Sequence, residues 1–258
     1  MKIAFFDSGL GGLSVLDEAR KRLPREDFIY FADTLNVPYG TKTKQEVKAC
    51  IEQSVKQIME EDVKALVIAC NTATSIVISE LRNRYDIPIV GMEPAVKPAV
   101  EMNRLNGKRV LVFATSLTLR ETKYNELVSR IDDMSIVDSL PLPGLVAFCE
   151  KLQFDANVIG DYFAGVLAPY RLEEYGTIVL GCTHFPFYKK LLQQHVPGHI
   201  RIIDGSTGTV NRLIDILSSR SLLDGAGSAE VTFRSSSMSE EYAVKMERAL
   251  ALFAEMQG

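Results

Sequence analysis

The sequence predicts an α/β protein built from two pseudo-symmetric α/β domains with mainly parallel sheets and a functional site in the interdomain cleft. Three observations carry that prediction. Short apolar, β-branched runs alternate with amphipathic stretches along nearly all of the 258 residues, as parallel strands covered by helices on both faces do. Two segments open alike: Lys2-Ile3-Ala4-Phe5-Phe6-Asp7-Ser8 and Lys108-Arg109-Val110-Leu111-Val112-Phe113-Ala114-Thr115-Ser116. Two cysteine-bearing turns also match: Leu66-Val67-Ile68-Ala69-Cys70-Asn71-Thr72 and Ile178-Val179-Leu180-Gly181-Cys182-Thr183-His184.

Taken in order, the first strand is predicted over 2–6, where Ile3 to Phe6 form an unbroken apolar run. Strands follow at 28–32, through Phe28-Ile29-Tyr30-Phe31, at 64–69, running into Cys70, and at 87–91. A second set is predicted at 108–114, 135–139, 177–181 and 200–203, with a last strand at 229–234. Helical patterns fill the gaps, clearest at 43–61, 72–85, 118–130, 155–170 and 206–219. In the first of these, Val47, Cys50, Ile51, Val55 and Ile58 recur at helical spacing and make one apolar face. Asp7 precedes Cys70 by 63 residues and Thr115 precedes Cys182 by 67, so the halves run in parallel. The boundary is expected near Pro94–Pro98. The first half alone has too few strands to balance the second, so the chain is expected to return after Asp204-Gly205-Ser206-Thr207-Gly208. The domains are then 1–97 plus 208–258, and 98–207.

Hydrophobic content of 47% and charged content of 24% are those of an ordinary globular protein. A net charge of −4 argues against a nucleic-acid surface, which needs clustered Lys and Arg. Asp7 comes too early for the apolar core of a signal peptide, and no run approaches the roughly 18 apolar residues of a membrane span. A cytoplasmic protein with no membrane partner is expected, with its four cysteines reduced. Cys50 and Cys149 sit in apolar patterns and read as packing. No C-x-x-C pair occurs, and Pro197-Gly198 keeps His195 and His199 off a common helical face, so no metal site is expected. Gly9, Gly11 and Gly12 fit neither the P-loop nor the G-x-G-x-x-G order. They are expected to bring backbone N–H groups to the carboxylate of a small ligand, as is Gly40.

Ligands of open parallel sheets bind beyond the carboxyl ends of the strands. That rule gathers Asp7-Ser8, Asp33 and Cys70-Asn71-Thr72 on one crevice. A cysteine at a strand-to-helix turn is a place for chemistry, because a helix N-terminus favours the thiolate. Two such turns suggest thiols facing one substrate from opposite sides, with donors from Ser8, Asn71, Thr72, Thr115 and Thr183 for a small anion.

Five blocks in register extend this reading: Asp7-Ser8-Gly9-Leu10-Gly11-Gly12, Tyr30-Phe31-Ala32-Asp33 with Pro38-Tyr39-Gly40, Ala69-Cys70-Asn71-Thr72-Ala73-Thr74, Glu93-Pro94-Ala95 with Lys97-Pro98-Ala99, and Gly181-Cys182-Thr183-His184-Phe185-Pro186. Together they closely resemble the glutamate racemase branch of the aspartate/glutamate racemase superfamily, from residue 2 to about residue 215. The resemblance implies a cofactor-independent enzyme that interconverts L- and D-glutamate and supplies D-glutamate for peptidoglycan. It implies Cys70 acting on the D-enantiomer and Cys182 on the L-enantiomer, with Asp7 near Cys70 and His184 near Cys182 tuning them. It also implies substrate contacts from Asp7, Ser8, Tyr39, Gly40, Asn71, Thr72, Thr115, Thr183 and His184, a substrate-contacting or tuning role for Asp33 and Glu150, and a homodimer. The chemistry is consistent on its own terms: racemisation without a cofactor needs two acid–base groups flanking one carbon. Two alternatives stay open: a racemase of aspartate or another small carboxylate, and a two-domain binding protein that closes on a ligand without reacting.

Overall fold

The computed structural model describes residues 1–257. Its strands are β1 (Lys2–Asp7), β2 (Phe28–Ala32), β3 (Val63–Ile68), β4 (Ile89–Gly91), β5 (Arg109–Ala114), β6 (Val137–Pro141), β7 (Tyr175–Leu180), β8 (Arg201–Asp204) and β9 (Val231–Ser235). The helices are α1 (Leu13–Arg22), α2 (Lys44–Ile58), α3 (Asn71–Arg84), α4 (Val96–Asn103), α5 (Ser116–Arg120), α6 (Thr122–Ile131), α7 (Pro143–Glu150), α8 (Ala156–Leu167), α9 (Lys189–Gln193), α10 (Ser206–Ser219) and α11 (Glu240–Gln257). Each predicted strand has its counterpart within a few residues. The helix predicted over 118–130 is instead broken at Glu121, whose extended backbone separates α5 from α6. The buried Glu121 carboxylate pairs with Lys44 at 2.6 Å, a partner that helical periodicity does not reveal.

Two all-parallel sheets result, one ordered β4-β3-β1-β2-β9 and the other β6-β5-β7-β8. The chain leaves the first sheet after β4 and rejoins it with β9, at the edge beyond β2. Alternate residues of the central strands feed different layers. Ala4, Phe6, Leu66 and Ile68 pack with α2 and α3, while Val110, Val112 and Val179 pack with α4 and α6. Ile3, Phe5 and Val67 from one sheet share a single core with Leu111, Phe113 and Ile178 from the other. That common core holds the two sheets as one body. Among the described residues, no helix is long and apolar enough to cross a membrane.

The repeat suggested by the sequence is visible in detail. Read from the corresponding edge, β8-β7-β5-β6 reproduces β4-β3-β1-β2. Register irregularities fall at equivalent points, between Lys2 and Ile3 and between Arg109 and Val110. The strand ends are tied alike: Ala69 N–H donates to Phe6 O at 2.8 Å and Gly181 N–H to Phe113 O at 2.7 Å. Asp33 N–H donates to Asp7 O at 3.0 Å and Leu142 N–H to Ala114 O at 3.1 Å. Cys70 and Cys182 each lie one residue beyond such a bond and are therefore carried to matching depths.

A buried ion pair fastens the first sheet away from those strand ends. Lys64 of β3 meets Glu26 at 2.6 Å, with side chains 2% and 3% exposed. The second Glu26 oxygen accepts the Asp224 N–H at 2.8 Å, pinning the segment that leads into β9. Removing one member strands a buried charge, a loss of about 3–5 kcal/mol. Lys64→Met is expected to lower unfolding free energy in urea by that order, and adding Glu26→Gln to restore a large part of it. A Lys64→Met protein as stable as the parent would show that the pair does not hold this segment.

Candidate active site

The carboxyl ends of the two sheets border one partly enclosed cleft. From the first sheet it is lined by Ser8, Tyr39, Gly40, Cys70, Asn71 and Thr72. Thr115, Cys182, Thr183 and His184 face it from the second. Both predicted cysteine turns therefore open into the same cleft, and both cysteines are buried and unbridged. Pro38, Thr41, Ser116, Pro143 and Val146 complete the lining. Asp7, Asp33 and Glu150 do not line the cleft; each lies behind it.

Cys70 caps the N-terminus of α3. Its Sγ accepts the Ala73 N–H at 3.5 Å and lies 3.9 Å from Ser8 Oγ. The helix end was expected to favour the thiolate, but a stronger effect opposes it. Burial, reinforced by the nearby Asp7 charge, pushes the Cys70 thiol well above its ordinary range, outweighing the Ala73 N–H. Cys70 is held as a thiol.

The second turn differs. Cys182 is followed by a single 3-10 turn, Phe185–Tyr188, rather than an α-helix, so a helix dipole is not its partner. His184 is. Its Nδ1 lies 3.6 Å from Cys182 Sγ, and its Nε2 lies 2.7 Å from Glu150 Oε1. Burial disfavours the imidazolium, but the bonds to and charges of Cys182 and Glu150 prevail and raise His184 well above its ordinary value. Glu150 shows the converse: burial alone would raise it, yet the bond to and charge of His184, with the Tyr242 hydroxyl and Leu10 N–H, bring it below the usual range. An imidazolium held by a carboxylate is a counter-ion for a thiolate.

Asp7 lies between the two turns. It bonds to Gly9 N–H at 3.1 Å and to the Thr183 hydroxyl of the Cys182 turn at 3.1 Å, and its charge, adding to burial, raises the Cys70 thiol, the opposite of the expected push towards thiolate. It acts on Cys70 through charge alone. Burial pushes its carboxyl up to about 6, against the pull of His184, the Gly9 and Gly12 N–H groups and Thr183. Asp33 likewise serves from behind: it accepts from the Tyr39 hydroxyl and from Asn36 Nδ2 at 2.9 Å, holding Tyr39 against the cleft. Neither Asp33 nor Glu150 is among the residues that line the cleft.

The glycine loop is a further correction. Gly9 N–H and Leu10 N–H donate to the protein's own Asp7 and Glu150, not into the cleft. A methyl group at Gly9 would collide with Glu150, and one at Gly11 with His184 and Thr183. These glycines let the two sheets' loops meet.

Donors for a small anion do border the cleft. Thr72, Thr115 and Thr118 form a hydroxyl triangle with edges of 2.9–3.0 Å. Asn71 is buried with neither its Nδ2 nor its Oδ1 partnered, a side chain with bonds left to make. Thr118 was not singled out from sequence, although it lies three residues after Thr115, whose hydroxyl caps α5 by accepting its N–H. Tyr242 was also missed, and nothing local to its sequence announces a partner in Glu150, 92 residues away.

Residues 14–213 match the profile of the Asp/Glu/Hydantoin racemase family. A glutamate racemase from Halothermothrix orenii is 52% identical over 246 residues, covering 95% of this chain and 96% of that protein. Glutamate racemase 2 of Bacillus subtilis is 48% identical over 260 residues, covering 100% and 98%. The Escherichia coli glutamate racemase, solved with L-glutamate and the activator UDP-MurNAc-Ala, superposes with a TM-score of 0.83 at 30% identity, covering 98% of this chain and 95% of that one. With the two cysteine turns on one cleft and relatives matched over almost their whole length, the chain belongs to the Asp/Glu/Hydantoin racemase family and, within it, to the glutamate racemases.

Proposed function

We propose that this racemase interconverts L- and D-glutamate by proton transfer between two thiols, Cys182 and Cys70, with no cofactor or metal. One observation carries the mechanism: two cysteines at equivalent strand ends share a cleft with unlike partners, Cys70 beside Ser8 and the Ala73 N–H and Cys182 beside His184. The relatives' names and the L-glutamate in the Escherichia coli structure support the substrate.

In the L-to-D direction, the Cys182 thiolate takes the Cα proton. The Cα–H bond breaks, an S–H bond forms, and the electron pair passes into the α-carboxylate as an enediolate. Cys70 then gives its proton to the opposite face, becoming the thiolate, and Ala73 N–H and Ser8 receive that charge. Asn71 and the hydroxyls of Thr72, Thr115 and Thr183 hold the substrate's anionic groups, while Tyr39, Gly40 and Ser8 close the first-sheet side. Asp7 and His184 tune the two sulfurs. Asp33 acts through Tyr39, and Glu150 through His184. The reading includes domains at 1–97 plus 208–258 and at 98–207, a homodimer in the cytoplasm, and supply of D-glutamate to peptidoglycan.

Running the reaction in D2O tests the mechanism. Early D-glutamate formed from L-glutamate should carry deuterium at Cα while the remaining L pool stays protiated. Protium retained in the early D product would mean one base serves both faces. Turnover of aspartate in preference to glutamate would reassign the substrate.

Cys70→Ala and Cys182→Ala should each lose more than about a thousandfold in kcat with the fold retained, since deleting a proton-transfer group forfeits its general acid–base contribution. Cys50→Ala and Cys149→Ala should keep substantial activity. Full turnover in either of the first pair, followed by circular dichroism of glutamate, contradicts the two-thiol assignment.

Asp7 also gives the fold a pH dependence. Its carboxyl titrates near 3.8 when unfolded and at about 6 when folded. The folded state therefore keeps a proton that the unfolded state releases, and stability falls as pH rises through that window. The fall amounts to about 3 kcal/mol. Asp7→Asn lacks this titration, so its stability relative to the parent should improve by that order between pH 3.5 and pH 7. A relative stability that stays flat across the window would place the Asp7 carboxyl at its ordinary value.

A further inference from the structure

The C-terminal helix α11 reaches the groups behind the cleft through one hydroxyl. Tyr242, in its first turn, donates to Glu150 Oε2 at 2.7 Å. Glu150 Oε1 accepts from Leu10 N–H and faces His184 Nε2, each at 2.7 Å. The carboxylate is thus held at both oxygens, and a planar group held at both ends cannot rotate about its terminal bond. Two of its three partners, Leu10 and Tyr242, come from segments packed on the first sheet, since α11 lies against α1 and β9. The third, His184, belongs to the second.

Tyr242 is equipped for this single task. Burial and the charge of Glu150 raise its phenol far above its ordinary range, so it stays protonated and donates. Lys245 Nζ lies 5.0 Å from the centre of its ring, steadying the ring from its own helix. The neighbouring buried hydroxyls are engaged elsewhere, Tyr30 with Gly9 O at 2.7 Å and Tyr188 with Gln153 O at 3.1 Å. Neither is free to replace it.

We infer that Tyr242 is a positioning residue for the reaction at Cys182: it fixes the Glu150 carboxylate, Glu150 fixes the His184 imidazole, and the imidazole faces Cys182 Sγ. Its effect on turnover rests on the two-thiol reading. Its effect on the Cys182 sulfur does not. Cys70 lies outside this chain of bonds, with Ala73 and Ser8 as its partners, and serves as an internal reference.

The test compares Tyr242→Phe with Tyr188→Phe, which deletes a buried hydroxyl of the same kind bonded to Gln153 O and not to Glu150. Iodoacetamide labelling of the ligand-free protein, resolved by peptide mass spectrometry, gives separate rates for Cys182 and Cys70. Tyr242→Phe should slow Cys182 about fivefold and leave Cys70 within about twofold, because a lost hydrogen bond to a charged group acts on its own network first. Tyr188→Phe should leave the ratio of the two rates unchanged. In steady-state kinetics Tyr242→Phe should lower kcat about tenfold with KM within about twofold. Placed in a Glu150→Gln background, it should cost less than about twofold more, since members of one network do not add. Equal slowing of both cysteines, a matching change in Tyr188→Phe, or full additivity with Glu150→Gln would overturn the inference. A selective change at Cys182 in a protein that fails to racemise glutamate would uphold the positioning role and reject the proposed reaction.

Discussion

The contact between the Gly9–Gly12 loop and the turn Cys182-Thr183-His184 sets the geometry of everything around the cleft. It joins the end of β1 to the end of β7 so closely that a side chain is excluded at Gly11, as Glu150 excludes one at Gly9. The polar groups trapped there satisfy one another: Asp7 takes the Thr183 hydroxyl, Ser14 Oγ donates to Thr183 O at 3.0 Å, and Leu10 N–H reaches Glu150. Buried polar groups are costly without partners, so separating the loops would expose several at once. The two sulfurs therefore face a cleft whose walls are fixed by hydrogen bonds and by the shared apolar core beneath.

From that contact follows a division of labour between carboxylates and thiols. Asp7, Asp33 and Glu150 are removed from the cleft surface, and each works through a neighbour: a hydroxyl or charge, a phenol, an imidazole. Burial makes these couplings strong, because a charge away from water is felt over longer distances. It also fixes their sign. Burial, with the Asp7 charge behind it, keeps the Cys70 sulfur protonated, whereas Cys182 and Glu150 together keep the His184 imidazole charged.

The architecture was largely legible in the sequence because unbroken apolar runs such as Ile3 to Phe6 and Ile178 to Leu180 have few other uses in a chain of this size. The cleft was legible for a related reason: strand ends in parallel sheets converge, so residues directly after Phe6, Ile68, Phe113 and Leu180 must meet. What stayed hidden depends on contacts across the cleft. Asp7 was read with Cys70 because both follow strands of one sheet, whereas the facing turn supplies its hydroxyl partner. The glycines were read as a ligand cradle because tight loops serve ligands and loop–loop contacts alike. Glu121 and Tyr242 gave no signal, since their partners, Lys44 and Glu150, are distant in sequence and lie on other elements.

The repeated strand order has one more consequence. Ala114 and Leu142 occupy the places that Asp7 and Asp33 hold in the first half, so at these two strand ends the duplicated frame carries carboxylates in one half only. The reaction proposed for the cleft begins and ends with mirror images of equal free energy. Its Haldane relation therefore requires kcat/KM to be the same in both directions, however unlike the two sulfurs are. The lopsided frame can then appear only as a trade: the enantiomer turned over faster must also be the one with the proportionally larger KM.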